Sequence, residues 1–337
     1  TSLEPLRGTV GPHVHAHGSD TELRRAIDRA RALGLRVWLL AGGWTASDFQ
    51  VAMFCPGNEA VNGWYEALYS HLATEYGVDG LDLTHARYPM TSYPRGMFLC
   101  ACDQCAHAAA GLGFDMQAML ADLRATRARL AAVDGRRLAA VFQDSLGAAD
   151  TCQVLGLPAG LLAWFTFRAR LLERNLTRFR AAVRTATGPE FVFGTDTYPA
   201  SLAMFVGHDQ TRWARFSDFA SPLVSHLDIF PMQTLTSWST YLRSLWPRLG
   251  EADSLGLLYR LLGYDRLPLP RAIADFALGA PDCEFRNVPL VEMVLLDTAK
   301  ARACLPADVP SYPIIQGGGA PHLWPREAVE RIIGGLE

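Results

Sequence analysis

A short apolar segment that ends in a group of polar side chains constrains the fold of this chain more than any other feature. Val78–Thr84 reads as a buried strand and follows an amphipathic segment, Trp64–Tyr76. The polar residues at the end of the strand are Asp82, Thr84, His85, Arg87 and Tyr88. The order of a helix, a strand with polar residues at its end and a long loop is typical of parallel α/β barrels, in which the catalytic residues lie at the carboxyl ends of the strands. We therefore predict an α/β fold, a (β/α)8 TIM-type barrel with Val78–Thr84 as its fourth strand.

The composition excludes several classes of protein. The chain of 337 residues is 50% hydrophobic and 19% charged, which allows a core as large as a barrel requires. A net charge of −3 gives no basic surface for nucleic acid. The sequence contains no run of about 18 apolar residues, the length that a membrane-spanning helix needs. We expect a cytoplasmic protein, although the chain begins at Thr1 and its start could be a trimmed end. The sequence is also compatible with a homo-oligomer.

Hydrophobic periodicity and Gly/Pro positions divide the rest of the chain into helices and strands. The predicted helices are Asp20–Leu33, Glu59–Tyr76, Gly113–Val133, Leu161–Thr187, Leu257–Tyr264, Leu290–Cys304 and Pro325–Leu336. Besides Val78–Thr84, the predicted strands are Val37–Ala41, Phe191–Thr197, Asp218–His226 and Tyr312–Gly317. We predict a single barrel domain over residues 1–337, with a helical excursion over about 106–188. Five strands are evident instead of eight, so either some strands are disguised or, as we favour, the sequence is a portion of a longer polypeptide.

Three of the seven cysteines lie within six residues, at Cys100, Cys102 and Cys105. An odd number of cysteines with this spacing argues against a plain disulfide framework. The pattern favours a metal site or reduced thiols.

The order of several sequence blocks resembles a group of bacterial barrel proteins of the glycoside hydrolase type that have no characterised activity. These blocks are FCPGN, a helix, YGVDGLDL-x-x-x-R-Y-P, C-x-C-x-x-C, GLGFD, GTDTYP, SPLVSH, LLYRLLGYD and YPIIQG, so the resemblance covers nearly the whole chain. A more distant similarity is to the β-galactosidases of glycoside hydrolase family forty-two. That family carries a zinc cluster of one cysteine before the helix and C-x-C-x-x-C after the strand, and Cys55 and the three clustered cysteines stand in those places.

The chain departs from that β-galactosidase family at both catalytic positions. The family places Asn-Glu at the end of its fourth strand, where this sequence reads His85-Ala86-Arg87. The family's nucleophile is a glutamate on the seventh strand, where the strand end here offers Gln316. The two-glutamate mechanism therefore cannot be transferred to this chain.

The cysteines predict a structural zinc site. Zinc prefers four thiolate or imidazole ligands in a tetrahedron, and Cys102 and Cys105 have the spacing that wraps one ion. Cys100 adds a third thiolate, and Cys55 can arrive from the preceding loop. Buried free thiols or one disulfide are the alternatives, and His107 is a substitute ligand.

Two aspartates at strand ends are the candidate catalytic residues. Glycoside hydrolysis needs one protonated and one ionised carboxyl that face each other across the sugar. Asp82 ends a buried strand, and Asp196 is the best-placed partner on another strand. A buried salt bridge between Asp82 and Arg87 is the alternative.

Candidate substrate-binding residues lie close to the same strand ends. Arg87 with Tyr88 would bind the carboxylate of an acidic sugar, and His85 and His226 could transfer protons near neutral pH. Because strand faces alternate, Asp82 and Thr84 should point away from His85 and Arg87, unless a bend near Pro89 relaxes this. Aromatic residues that could stack on a sugar are Trp44 and Tyr198. We predict that one pocket receives Asp82, His85, Arg87, Asp196, His226 and Gln316.

Two other functions remain open from the sequence. The imidazoles of His13, His15 and His17 share one face of an extended segment, which suits a divalent metal and a metal-dependent barrel hydrolase. The missing glutamates also fit a barrel that binds a saccharide without catalysis. In the leading interpretation, a small-molecule or oligosaccharide substrate is hydrolysed through Asp82 and Asp196.

Overall fold

The computed structural model describes residues 20–44, 54–89, 96–135, 153, 156–277, 287–315 and 324–336. His13, His15, His17 and Gln316 lie outside the described residues, so the predictions on them stay predictions.

The centre of the fold is a parallel sheet of four strands in the order β1-β2-β3-β4. The strands are β1 (Trp38–Gly42), β2 (Gly80–Thr84), β3 (Val192–Thr197) and β4 (Ala220–Pro222). Residues 310–314 run parallel beside β4, where Tyr312 N donates to Ala220 O at 2.8 Å and Ile314 N donates to Pro222 O at 2.9 Å. The predicted fourth strand is therefore the second strand of the described sheet. This sheet is compatible with part of a barrel, and the described residues do not form a complete (β/α)8 barrel.

Ten α-helices are formed by the described residues. They are α1 (Asp20–Ala32), α2 (Glu59–Glu75), α3 (Asp103–Gly111), α4 (Met116–Ala132), α5 (Ala159–Thr187), α6 (Ala200–Ala203), α7 (Gln233–Leu245), α8 (Glu251–Leu262), α9 (Leu290–Cys304) and α10 (Arg326–Leu336). Between β2 and β3 the described chain passes through α3, α4 and α5. None of the described helices is both long and apolar enough to cross a lipid bilayer.

One face of the sheet packs against α2 and α5. Leu81 and Leu83 of β2 and Phe193 of β3 are fully buried, and they belong to the same apolar cluster as Tyr69 of α2 and Phe179 of α5. Burial of side chains of this size stabilises the layer by about 1.5–3 kcal/mol each. Because side chains alternate along a strand, the opposite face receives Asp82 and its neighbours.

The start of α2 illustrates how local sequence sets this layer. The Asn58 side chain accepts hydrogen bonds from the backbone N–H groups of Ala60 and Val61, which would otherwise lack partners in the first helical turn. The loop before the cap, Phe54–Gly57, meets the chain after β1, where the Phe54 backbone N–H donates to Trp44 O at 2.8 Å. The same loop carries Cys55.

Candidate functional site

Polar side chains at the carboxyl ends of β2, β3 and β4 form a group that we name the strand-end cluster. Its members are Asp82, Thr84, His85, Asp196 and Ser221. Asp82 is paired in register with Gly194, so Asp196 lies two residues further along β3 on the same face. Standard strand spacings place the Cα atoms of Asp82 and Asp196 about 8 Å apart.

The Asp196 carboxylate is almost completely enclosed, with an exposed fraction of 1%. Its Oδ2 accepts a hydrogen bond from Thr84 Oγ1 at 2.6 Å and another from the His85 backbone N–H at 3.3 Å. Its Oδ1 is buried without a hydrogen-bond partner among the described residues. Burial raises the pKa of Asp196, whereas the Thr84 hydrogen bond and the Arg87 charge oppose that rise.

The Asp82 carboxylate has a different environment. It is partly buried, and its Oδ2 accepts a hydrogen bond from Ser221 Oγ at 2.8 Å. Burial raises the pKa of Asp82 to about 7; the Ser221 hydrogen bond opposes the rise and the negative charge of Asp196 adds to it. Asp82 therefore holds its proton into the neutral pH range.

His85 interrupts the alternation that the sequence predicts. Its φ of 58° lies in the left-handed region, which a residue with a side chain rarely adopts. Gly43 allows this turn, because a Cβ on Gly43 would lie 2.6 Å from the Ala86 Cα and 2.8 Å from the His85 carbonyl oxygen. The prediction that His85 faces away from Thr84 is therefore wrong. The reversal occurs at His85 itself, and not near Pro89, and brings His85 Nδ1 within 2.8 Å of Thr84 Oγ1.

Arg87 adds a positive charge beside the strand-end cluster. Its exposed fraction is 3%, and its guanidinium carbon lies 4.7 Å from the Tyr198 ring centre and 5.5 Å from that of Phe230. The His226 ring lies 5.6 Å from the Phe230 ring. The charges of Arg87 and of His226 both act on His85. Asp82, His85, Arg87, Asp196 and His226 are therefore near enough for their charges to interact, whereas their meeting in one pocket stays a prediction.

His208 connects the loops that follow β2 and β3, and the sequence analysis missed it. The Tyr198 backbone N–H donates to His208 Nδ1 at 3.1 Å, so His208 Nε2 carries the proton and donates to Ala86 O at 3.3 Å. Burial lowers the pKa of His208 to about 3, which keeps the ring neutral. Gln210 Nε2 also donates to Thr197 Oγ1 at 2.8 Å. Both residues follow β3 in an irregular segment, where no sequence periodicity marks them.

Three predicted substrate-binding aromatics, Trp44, Tyr88 and Tyr198, are fully buried. Trp44 is fully buried against Tyr65 and Phe179, and its Nε1 donates to Asn62 Oδ1 at 2.9 Å. This placement corrects the expectation that Trp44 stacks on a sugar, because its ring has no exposed face. The Tyr88 ring lies under the guanidinium of Arg168. The Tyr198 ring packs against Phe230 and under the guanidinium of Arg87, so the expectation that it stacks on a sugar is corrected as well.

The four predicted zinc ligands form a second site, which we name the cysteine cluster. The sulfur atoms of Cys55, Cys100, Cys102 and Cys105 all lie within 4.8 Å of one another. The Sγ of Cys55 is 3.3 Å from that of Cys105 and 3.5 Å from that of Cys102. All four are free thiols in this structure. Hydrogen bonding to Cys100 raises the pKa of Cys105 and of Cys55, because each thiol proton is held by the Cys100 sulfur, and burial and the Cys100 charge add to the rise.

Two buried groups beside the cysteine cluster fit a bound metal. Arg168 is fully buried, and it donates to the carbonyl oxygens of Met97 at 2.7 Å, Phe205 at 2.8 Å and Gly96 at 3.2 Å. No carboxylate among the described residues lies within ion-pair distance of it, although a buried charge requires compensation. The Tyr88 hydroxyl is buried without a hydrogen-bond partner. A complex of one divalent ion with four thiolates has a net charge of −2. Such a complex would supply a counter-charge for Arg168 and a hydrogen-bond acceptor for the Tyr88 hydroxyl.

Comparisons with known proteins find distant structural similarity to solved structures. No protein-family model matches the chain, and no curated protein matches it, so the resemblance to family forty-two β-galactosidases stays a prediction. Among solved structures, the chain is similar to the PgaB (BpsB) glycoside hydrolase domain from Bordetella bronchiseptica. The identity is 12% with a TM-score of 0.42, over 91% of this chain and 75% of that chain.

Proposed function

We propose that this protein is a carbohydrate-active hydrolase that cleaves a glycosidic bond, with Asp82 and Asp196 as its carboxyl groups. The observation that carries the proposal is the pair itself. Two carboxyl groups lie on the same face of neighbouring strand ends, in environments that separate their roles. Glycosidases require this combination of a protonated and an ionised carboxyl.

The environments assign one role to each carboxyl group. Asp82 retains a proton near neutral pH, so it is the general acid that protonates the leaving-group oxygen. Burial raises the pKa of Asp196, but the hydrogen bond from Thr84, the Arg87 charge and the hydrogen bond from the His85 backbone all oppose the rise, so we assign the ionised role to Asp196. The negative charge of Asp196 acts on Asp82, so the two carboxyl groups lie near enough to take part in one reaction.

The substrate in this proposal is a small or oligomeric saccharide. The charge of Arg87 acts on Asp196 and on His85, so Arg87 lies beside the carboxyl pair, and an Arg guanidinium binds a carboxylate through two parallel hydrogen bonds. We therefore place acidic sugars first among the candidate substrates.

The cysteine cluster has a structural role in this proposal. Cys55, Cys100, Cys102 and Cys105 would hold one zinc ion, because four thiolates at this separation form the closed tetrahedral site that zinc prefers. The ion would join the loop before α2 to the loop before α3. A closed site leaves no position for substrate, so it supplies stability and no chemistry.

The test is hydrolysis of a panel of aryl glycosides and aryl glycuronides by the wild type and by Asp82→Asn. We expect turnover of at least one substrate, and a loss of about 10³-fold in kcat for the variant, as general acid catalysis contributes roughly 10²–10⁴-fold. The matched control is Asp79→Asn, because Asp79 lies on the same segment at the opposite end of β2 and is exposed. Binding of saccharides without turnover of any substrate, or full activity of Asp82→Asn, would refute the proposal.

A further inference from the structure

The hydroxyl of Thr84 joins Asp196 to His85 in a chain of hydrogen bonds. Thr84 Oγ1 lies 2.6 Å from Asp196 Oδ2 and 2.8 Å from His85 Nδ1. A hydroxyl has one proton to donate, and an ionised Asp196 can only accept. Thr84 therefore donates to Asp196, and His85 Nδ1 must carry a proton that it donates to Thr84. The remaining ring nitrogen of the neutral imidazole, Nε2, is left with a lone pair.

Burial decides which member of this chain can meet a substrate. Asp196 is 1% exposed, so its carboxylate is closed off from a water molecule or a sugar in the pocket. His85 is partly exposed and stands at the left-handed turn beyond the end of β2. The imidazole is consequently more accessible than the Asp196 carboxylate.

We propose that His85 Nε2 is the base that takes a proton from the attacking water, while Asp196 is a positioning residue that acts through Thr84. This inference rests on the proposed glycosidase function and refines the role of its ionised carboxyl. It follows the general logic of a carboxylate that orients an imidazole and stabilises its charged form, with a threonine hydroxyl inserted between the two.

The protons and bonds balance in the proposed step. An O–H bond of water breaks and its proton goes to His85 Nε2, while the water oxygen forms a bond to the anomeric carbon. The glycosidic C–O bond breaks, and the leaving-group oxygen takes the proton of Asp82. His85 then carries the extra proton and Asp82 has lost one, so transfer from His85 to Asp82 through solvent restores the starting state.

The charges around His85 fit this role in the resting enzyme. Burial, together with the positive charges of Arg87 and His226, lowers the pKa of His85 to about 4. The ring is therefore neutral at pH 7 and its lone pair is available. The same effects weaken the base, and the chain through Thr84 to the negative Asp196 opposes them as the proton arrives.

The first test measures the tautomer of His85 by nitrogen-15 NMR of the imidazole, with His85→Asn to assign its signals. We expect a neutral ring with the proton on Nδ1 in the wild type and in Thr84→Ser, which keeps the hydroxyl. Thr84→Val removes the hydroxyl at similar volume and should abolish this preference. A proton on Nε2 in the wild type would overturn the inference.

The second test uses the aryl glycosides that the wild type hydrolyses. We expect His85→Asn to lower kcat by about 10²-fold with little change in KM, because asparagine tolerates the left-handed turn. Thr84→Val should lower kcat less than His85→Asn does, and Thr84→Ser should have a kcat close to that of the wild type. If His85→Asn keeps its kcat while Asp82→Asn loses it, the glycosidase stands and the role of His85 is refuted. If the wild type turns over no substrate, the proposed function fails and the base role with it, while the NMR result still tests the hydrogen-bonded chain.

Discussion

The strand-end cluster and the cysteine cluster both bring together side chains from distant parts of the sequence. The two clusters differ in the spacing of these side chains and in their hydrogen-bond partners. In the cysteine cluster, four sulfur atoms lie within 4.8 Å of one another, which leaves room only for an ion. In the strand-end cluster, Asp82 and Asp196 stand apart, and each has a buried carboxylate oxygen without a hydrogen-bond partner among the described residues.

The elements that carry the two clusters differ as well. The cysteines lie on loops and at the start of α3, so that their relative positions depend on whatever joins the loops. Asp82, Thr84 and Asp196 lie on hydrogen-bonded strands, which hold them in place without a ligand. Groups that act on a substrate benefit from such a rigid support, whereas a structural ion creates the rigidity of its own site. The comparison predicts that removing a cysteine ligand will mainly lower stability, and that changing the strand-end cluster will mainly change chemistry.

The largest effect should follow from breaking the cysteine cluster. Purified protein should contain about one zinc per chain, and Cys105→Ser should lower Tm by roughly 10 °C, since a structural metal contributes several kcal/mol and each kcal/mol corresponds to about 2 °C in a chain of this size. Elemental analysis and thermal unfolding measure the two results. Cys304→Ser is the control, because Cys304 is an exposed free cysteine outside the cluster. If the purified wild type contains no metal and Cys105→Ser has the same Tm as the wild type, the cysteine cluster does not have the stabilising role that distinguishes it from the strand-end cluster.

A smaller effect should follow from removing the buried charge beside the cysteines. Arg168→Met should weaken zinc affinity by about 10–100-fold, the usual effect of losing a group that supports metal ligands, as measured by competition with a chromophoric chelator. Arg168→Lys keeps the charge and loses the fork of hydrogen bonds to carbonyl oxygens, so it should retain more of the affinity. Arg184→Met on the far end of α5, where Arg184 pairs with Asp218, is the control. Equal affinities for all three variants would show that Arg168 does not act on the metal.

The smallest effect concerns how stability depends on pH at the strand-end cluster. The native pKa of Asp82, about 7, lies above its ordinary value of 3.8, so the native state binds this proton more tightly than the unfolded chain. The stability that results is fully present below about pH 4 and is lost as the pH rises through about 7. Asp82→Asn has no such titration, so urea unfolding should show a smaller loss of stability between pH 5 and pH 8 than in the wild type. Equal losses in both proteins would contradict the raised pKa, and Asp79→Asn should behave as the wild type.

Local patterns in the sequence predicted the elements that carry their own signal. The helix Leu290–Cys304 has the predicted bounds, and the strand Val78–Thr84 is found as Gly80–Thr84. The helix repeats apolar residues at helical spacing, and the strand is a short, largely apolar run that follows Gly77, which is the information that periodicity contains. The helix Gln233–Leu245 was missed, because its Ser and Thr residues weaken the apolar period. The count of strands in the complete barrel stays a prediction.

The cysteine motif and the carboxyls at strand ends were determined by the sequence alone, because spacing and strand polarity place them before any packing is known. Tertiary structure decided the rest. The left-handed turn at His85 depends on the close approach of Gly43 from another strand, and the loops after β2 and β3 are joined by His208, far along the chain. The pKa of Asp82 depends on burial and on Asp196, more than a hundred residues away. Sequence specifies which groups a chain offers, whereas distances, burial and hydrogen-bond partners are properties of the packed molecule.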